Sequence, residues 1–208
     1  MIAVIDYGVG NLLSVAKALE HIGSQVVVTN HTEDINKADG VIVPGVGAFG
    51  DAMSNLRQLE LLDPLISVAK AGKPLLGICL GMQLLFSESE EHGVHAGMNL
   101  IPGRVVRMQG DYKIPQVGWN QLQLKRTHSL VENVAEGEFA YFVHSYYVVP
   151  QESSVIVATT DYHQDVTAIV AKDNIVGMQF HPEKSSATGL KLLSNFVKWA
   201  ETGGAKPC

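Results

Sequence analysis

Pro74-Leu75-Leu76-Gly77-Ile78-Cys79-Leu80-Gly81 is a uniformly apolar run that ends in a cysteine framed by glycines. A short run without polar alternation is buried on both faces, as the central strand of a helix-covered parallel sheet is. Gly77 and Gly81 stand two positions before and two after Cys79, the spacing of the G-x-S-x-G elbow with sulfur in place of oxygen. A sharp strand-to-helix turn brings neighbouring Cβ atoms into collision unless those neighbours are small. It leaves the central side chain at a helix N-terminus, where the dipole favours an anion. A plain buried cysteine is the competing reading, since cysteine is among the most buried residue types; the glycine frame argues for a nucleophile.

Working outward toward the N-terminus, short apolar runs alternate with amphipathic segments, the pattern of βαβ units. Strands are expected at 2–5, 25–29, 40–43 and 74–78. Asn11 is placed to cap a helix whose apolar positions Leu12, Val15, Ala16, Leu19 and Ile22 recur at helical spacing before Gly23 stops it. A helical turn follows Thr32, a helix starts at Asp51 after an irregular segment over 44–50, and another runs from Asp63-Pro64 to about Gly72. Beyond Phe86 the texture changes. Strand-like runs at 104–108, 121–124, 139–149, 155–162, 166–172 and 175–180 lie close together and read as largely antiparallel, with a closing helix over 187–201. With no repeat, low-complexity tract or linker, both textures are expected to share one α/β core in a single domain over 1–208.

His181-Pro182-Glu183 closes the last of those runs. Proline biases the residue before it toward an extended conformation, so His181 and Glu183 are expected on the same side of the chain. That suits a base and its orienter: one ring nitrogen takes the Cys79 proton while the other donates to the carboxylate. A surface loop with an incidental ion pair is the alternative. Gly45-Val46-Gly47-Ala48-Phe49-Gly50 formally matches G-x-G-x-x-G, but the dinucleotide fingerprint belongs in the first βα turn and this run follows the third strand. Its backbone N–H groups, at Gly45, Val46 and Gly47, better suit an oxyanion hole with the amide of Leu80 as second donor; a plain tight turn competes. His92 and His95 are spaced like metal ligands, yet no further cysteine or carboxylate cluster completes a set, so no metal site is expected. His144-Ser145-Tyr146 can line a pocket or end a half-buried strand, and Trp119, in an expected loop, is either core or an interface anchor.

Composition narrows the classes. Of 208 residues 46% are apolar and only 17% charged, below the roughly 25% usual for soluble domains, which leaves room for a face covered by a partner. The net charge of -6 is spread along the chain, so neither nucleic acid nor an anionic membrane is an expected partner. Two cysteines, Cys79 and Cys208, exclude a disulfide framework. The opening Met-Ile-Ala-Val-Ile-Asp has no basic segment, and no apolar stretch reaches the ~20 residues of a membrane span, so a soluble cytoplasmic protein is expected.

Taken together, the Cys79 elbow, the His181-Pro182-Glu183 triplet and the Pro44-Gly45-Val46-Gly47 loop resemble class I (triad) glutamine amidotransferases over nearly the whole chain. Asp6-Tyr7-Gly8-Val9-Gly10-Asn11, PGVGAFGDAM over 44–53, GICLGMQLLF over 77–86, YFVHSYY over 141–147 and GMQFHPEKSS over 177–186 narrow the likeness to the glutaminase subunits of histidine synthesis. Pro44-Gly45-Val46-Gly47 discriminates, because other class I members usually carry a Gly-Gly-Pro-like loop. Gln116 departs from the pattern, where histidine is expected before Gly118-Trp119-Asn120.

The resemblance implies a flavodoxin-like doubly wound, mostly parallel sheet with added antiparallel strands, and cofactor-free hydrolysis of L-glutamine to glutamate and ammonia. The triad is Cys79, His181 and Glu183, and glutamine-binding roles map onto Gln83, Glu91, His144, Ser145 and Tyr146. Ammonia would pass to a separate cyclase subunit, a (β/α)₈ barrel that at roughly 250 residues does not fit within this length. Asn11, Trp119, Lys184 and Ser185 are expected at that contact. The rivals are a stand-alone cysteine hydrolase of the same fold, such as a γ-glutamyl hydrolase or small peptidase, and a binding module in which the elbow survives only as packing.

Overall fold

The computed structural model describes residues 1–203; Cys208 lies outside them. The first half alternates strand and helix as expected: β1 (Ile2–Ile5), α1 (Leu12–His21), β2 (Val26–Thr29), α2 (Thr32–Lys37), β3 (Gly40–Gly45), α3 (Phe49–Gln58), α4 (Leu62–Lys70), β4 (Leu75–Cys79) and α5 (Leu80–Leu84). The second half is strand-rich: β5 (Phe86–Ser89), β6 (His95–Ala96), β7 (Ile101–Arg107), β8 (Gln116–Gln121), β9 (Gln123–Leu124), β10 (Phe139–His144), β11 (Tyr146–Pro150), β12 (Ile156–Asp161), β13 (Asp165–Lys172), β14 (Ile175–Met178), and the closing helix α6 (Ser186–Glu201).

Eight strands form one sheet in the order β2-β1-β3-β4-β14-β13-β12-β9. From β2 to β14 neighbours run parallel, and from β14 to β9 antiparallel. The two textures therefore meet where β4 pairs with β14. Every residue of β4 is buried, because apolar layers cover both faces. One layer packs α1 and α6 through Val15, Leu19, Leu192 and Phe196; the other packs α2, α3 and α4 through Ile35, Phe49, Leu56 and Leu65. That is a doubly wound sheet, in which ligands bind beyond the carboxyl ends of the parallel strands. β11, β7, β5 and β6 form a second sheet, and β8 with β10 a two-stranded ribbon.

Three local expectations are corrected. The segment 139–149 is not one strand: it breaks at Ser145, whose carbonyl accepts from Met108 N at 2.9 Å, so β10 joins the ribbon and β11 the second sheet. Trp119 lies within β8 rather than in a loop. The helix expected from Asp51 begins two residues earlier, because the Glu91 carboxylate, 42 residues away, accepts from Phe49 N at 2.7 Å. Asn11 does stand at the N-cap of α1, but its side chain makes no capping hydrogen bond.

Candidate active site

Cys79 ends β4 with φ 55° and ψ -111°, a conformation L-residues avoid at a cost of about 1–3 kcal/mol. The surroundings hold it there. A Cβ on Gly81 would lie 1.8 Å from the Val43 carbonyl oxygen, and one on Gly77 would lie 2.5 Å from the Gly81 carbonyl oxygen. Both glycines are therefore required, but by close approach to backbone carbonyls, one of them on β3, rather than by collision between neighbouring Cβ atoms of the turn. The following helix α5 has only five residues, so its dipole is a small part of any stabilisation of anionic sulfur.

His181 follows β14, the parallel neighbour of β4. It is extended at φ -96° and ψ 98°, as the following proline predicts, and a 3-10 turn over Pro182–Lys184 brings Glu183 back to it. His181 Nδ1 donates to Glu183 Oε1 at 2.8 Å, with the two side chains 3% and 1% exposed. The ring and Cys79 line the same cleft. Burial alone would lower the His181 pKa, but the neighbouring Cys79 and Glu183 outweigh it and raise it to about 9. Ser185, expected at a partner contact, is instead buried: its Oγ donates to His181 O at 2.7 Å and accepts from Tyr141 N at 3.0 Å. It braces the histidine backbone.

Cys79 and His181 open into a cleft of about 710 Å³ that Val46, Gly47, Leu80, Gln83, Glu91, His144, Ser145 and Tyr146 also line. Gly45, the last residue of β3, pairs with Cys79 across the sheet. Gln83 Nε2 donates to the Tyr146 carbonyl at 2.9 Å, while Glu91 is engaged with Phe49 N. His144 Nδ1 lies 2.9 Å from the same carbonyl of Tyr146, which can only accept, so Nδ1 carries the proton and Nε2 is left as a buried acceptor without a partner among the described residues. Burial first, and then the charge of His181, push the His144 pKa down to about 4 against the opposing Tyr146 bond, so the ring is neutral at pH 7.

Two residues at the site were not anticipated. Gln179, fully buried, points Nε2 at Cys79 Sγ at 3.9 Å; its clue was its place two residues before His181 in the same motif. Tyr7, also fully buried, donates to the Pro44 carbonyl at 2.6 Å and so ties β1 to the strand that leads into Gly45-Val46-Gly47. Nothing local in the sequence signals that tie. Gln116 is buried at the end of β8, opposite His144, and donates to Asn120 Oδ1 at 3.0 Å. Of the remaining expected contact residues, Asn11 is half-buried, Lys184 is exposed, and Trp119 is 49% exposed with its ring against Tyr141 at 5.9 Å. Among the described residues no three His, Cys, Asp or Glu side chains are grouped to hold a metal ion, and no helix is long and apolar enough to cross a membrane.

A cysteine elbow on a doubly wound sheet, with a histidine and a carboxylate just beyond the end of the neighbouring strand, defines a class. The family model for class-I glutamine amidotransferases matches residues 3–199, and the chain belongs to that family. It is similar over 203 residues, at 52% identity, to the imidazole glycerol phosphate synthase subunit HisH of Geobacillus thermodenitrificans, with 95% of each chain covered. Over 199 residues it is 51% identical to the HisH of Aquifex aeolicus, covering 95% of this chain and 96% of that one. Within the family, then, the chain belongs with the HisH subunits and is an enzyme, a glutamine amidotransferase. Solved structures share the fold at lower identity: a glutamine amidotransferase with a TM-score of 0.77 at 17% identity, covering 97% of this chain and 100% of that one, and PurLQS from Thermotoga maritima with 0.73 at 21%, covering 95% and 97%.

Proposed function

We propose that this chain is a cytoplasmic, single-domain glutaminase that hydrolyses L-glutamine and passes the ammonia to a separate cyclase subunit built as a (β/α)₈ barrel. The observation that carries the chemistry is that Cys79 and His181 line one cleft while Glu183 Oε1 holds His181 Nδ1 at 2.8 Å. Cys79 Sγ bonds to the side-chain carbonyl carbon of glutamine. The C–N bond then breaks as His181 gives its proton to the amide nitrogen, which leaves as ammonia. Water, deprotonated by the now neutral His181, hydrolyses the thioester and releases glutamate. The N–H groups of Val46 and Leu80, with Gly45 and Gly47 shaping the loop, stabilise the oxyanion; each such donor is worth about 10²- to 10³-fold. Gln83, Glu91, His144, Ser145 and Tyr146 form the wall that holds the substrate.

Support for the partner comes from the relatives, which are named as subunits of a synthase, and from the surface. Val117, Trp119, Phe139 and Val143 are exposed large apolar residues, and they share one face of the β8–β10 ribbon, of which Val143 also lines the cleft. Asn11 and Lys184 complete that contact. The test is Cys79→Ala in the complex. It should abolish synthesis from glutamine and leave synthesis from added ammonium salt nearly intact, because free ammonia bypasses the thioester. Synthesis from glutamine that survives Cys79→Ala would refute the assignment of Cys79 as nucleophile, whereas loss of both activities would point to a damaged fold or another role for Cys79.

A further inference from the structure

The register that joins the two halves of the sheet sets an amide against the reacting sulfur. Met178 pairs with Ile78 across β14 and β4, so one step further Gln179 stands beside Cys79. The orientation of its amide follows from its partners. The Tyr146 carbonyl can only accept, so Gln83 must present Nε2 to it; that nitrogen also donates to Gln179 Oε1 at 3.2 Å. With Oε1 taken, Gln179 turns Nε2 to Cys79 Sγ, and its backbone N–H is held by Ala168 O at 2.9 Å. Gln83 and Gln179 are 5% and 0% exposed, so both amides lie out of bulk solvent.

We infer that Gln179 is a catalytic hydrogen-bond donor to the Cys79 sulfur, oriented by Gln83, and that it acts at both ends of the covalent intermediate. The inference rests on Cys79 being the nucleophile. An N–H bonds more strongly to anionic sulfur than to a thiol or thioester, so it stabilises the sulfur before the S–C bond forms. It does so again when hydrolysis breaks that bond and the electron pair returns to sulfur. With α5 too short to supply much of this field, the amide adds to what the His181 imidazolium provides.

The test uses the full chain in a Cys208→Ser background, with iodoacetamide as the probe. The rate of Cys79 alkylation against pH is read together with kcat and KM for glutamine in the complex with the cyclase. Gln179→Met, which keeps length and volume but has no donor, should move the alkylation midpoint up by about one pH unit and lower kcat about tenfold, with KM within about twofold. Gln179→Glu should move it further, since a carboxylate sets a negative charge against the sulfur. If Gln179 only fills space, Glu, the closer isostere, does less harm than Met, and that order overturns the inference. A Gln179→Met variant with the wild-type midpoint and kcat overturns it as well, whether or not the Glu variant folds. Failure of the nucleophile assignment is distinguishable: glutamine turnover then survives Cys79→Ala.

Discussion

Replacing Glu183 by Gln isolates the charge of the orienting carboxylate from its shape. The structure holds His181 at about 9 rather than its ordinary 6.5, a preference for imidazolium of about 3 kcal/mol that Cys79 and Glu183 supply against burial. A glutamine at 183 can still accept the Nδ1 proton, with its NH₂ group where Glu183 Oε2 now lies without a partner among the described residues. The tautomer therefore survives while the charge is lost. A charge-assisted hydrogen bond exceeds a neutral one by about 1–1.5 kcal/mol, which lowers the His181 pKa by about one unit. The sign follows from the direction of the shift: the imidazolium form dominates below about 9 and is lost as pH rises through it, so activity in the wild type should fall on an alkaline limb near 9 and in Glu183→Gln near 8. At pH 7.5 kcat should drop about 10- to 100-fold, less than for His181→Ala, which removes the acid–base group itself. The assay is glutamate release by the complex between pH 6.5 and 10. An alkaline limb that stays in place with undiminished kcat would mean that Cys79 and His181 act as a dyad.

Two perturbations test the supports of the site. Gly81→Ala puts a methyl group 1.8 Å from the Val43 carbonyl oxygen, so either β3 or α5 must move; thermal melting should show a loss of about 3 kcal/mol or more, and a melt within about 2 °C of wild type would refute the close-approach argument. Trp119→Ala should weaken association with the cyclase by about 2 kcal/mol, some 30-fold, when the subunits are titrated; an unchanged Kd would move the contact away from the β8–β10 ribbon.

The parts of this molecule that could be read from sequence are those whose cause is local. Leu75–Cys79 reads as a central strand because no polar residue interrupts it, and Cys79 reads as an elbow because the G-x-C-x-G spacing is local, as is the collision that demands Gly77, although the one that demands Gly81 comes from Val43 on β3. His181 and Glu183 likewise meet across a single proline. The β8–β10 ribbon reads badly because its β8 pattern is inverted: Val117 and Trp119 face outward while Gln116 is buried. Hydrophobic periodicity assumes that the apolar face turns to the chain's own core. Where an apolar face turns outward from the chain's own core, the rule returns the wrong side. The amide line from Tyr146 through Gln83 and Gln179 to Cys79 is illegible for another reason, since its bonds join residues 63, 96 and 100 positions apart. Yet one non-local fact accounts for the meeting of Gln179 and His181 with Cys79. Once β14 is paired in parallel with β4, the register brings Gln179 to Cys79, and His181 two residues on, without further assumption. The same pairing that joins the parallel and antiparallel halves of the sheet therefore also assembles the site, so a slip of one residue between β14 and β4 would turn Gln179 to the opposite face and carry the histidine away from the sulfur.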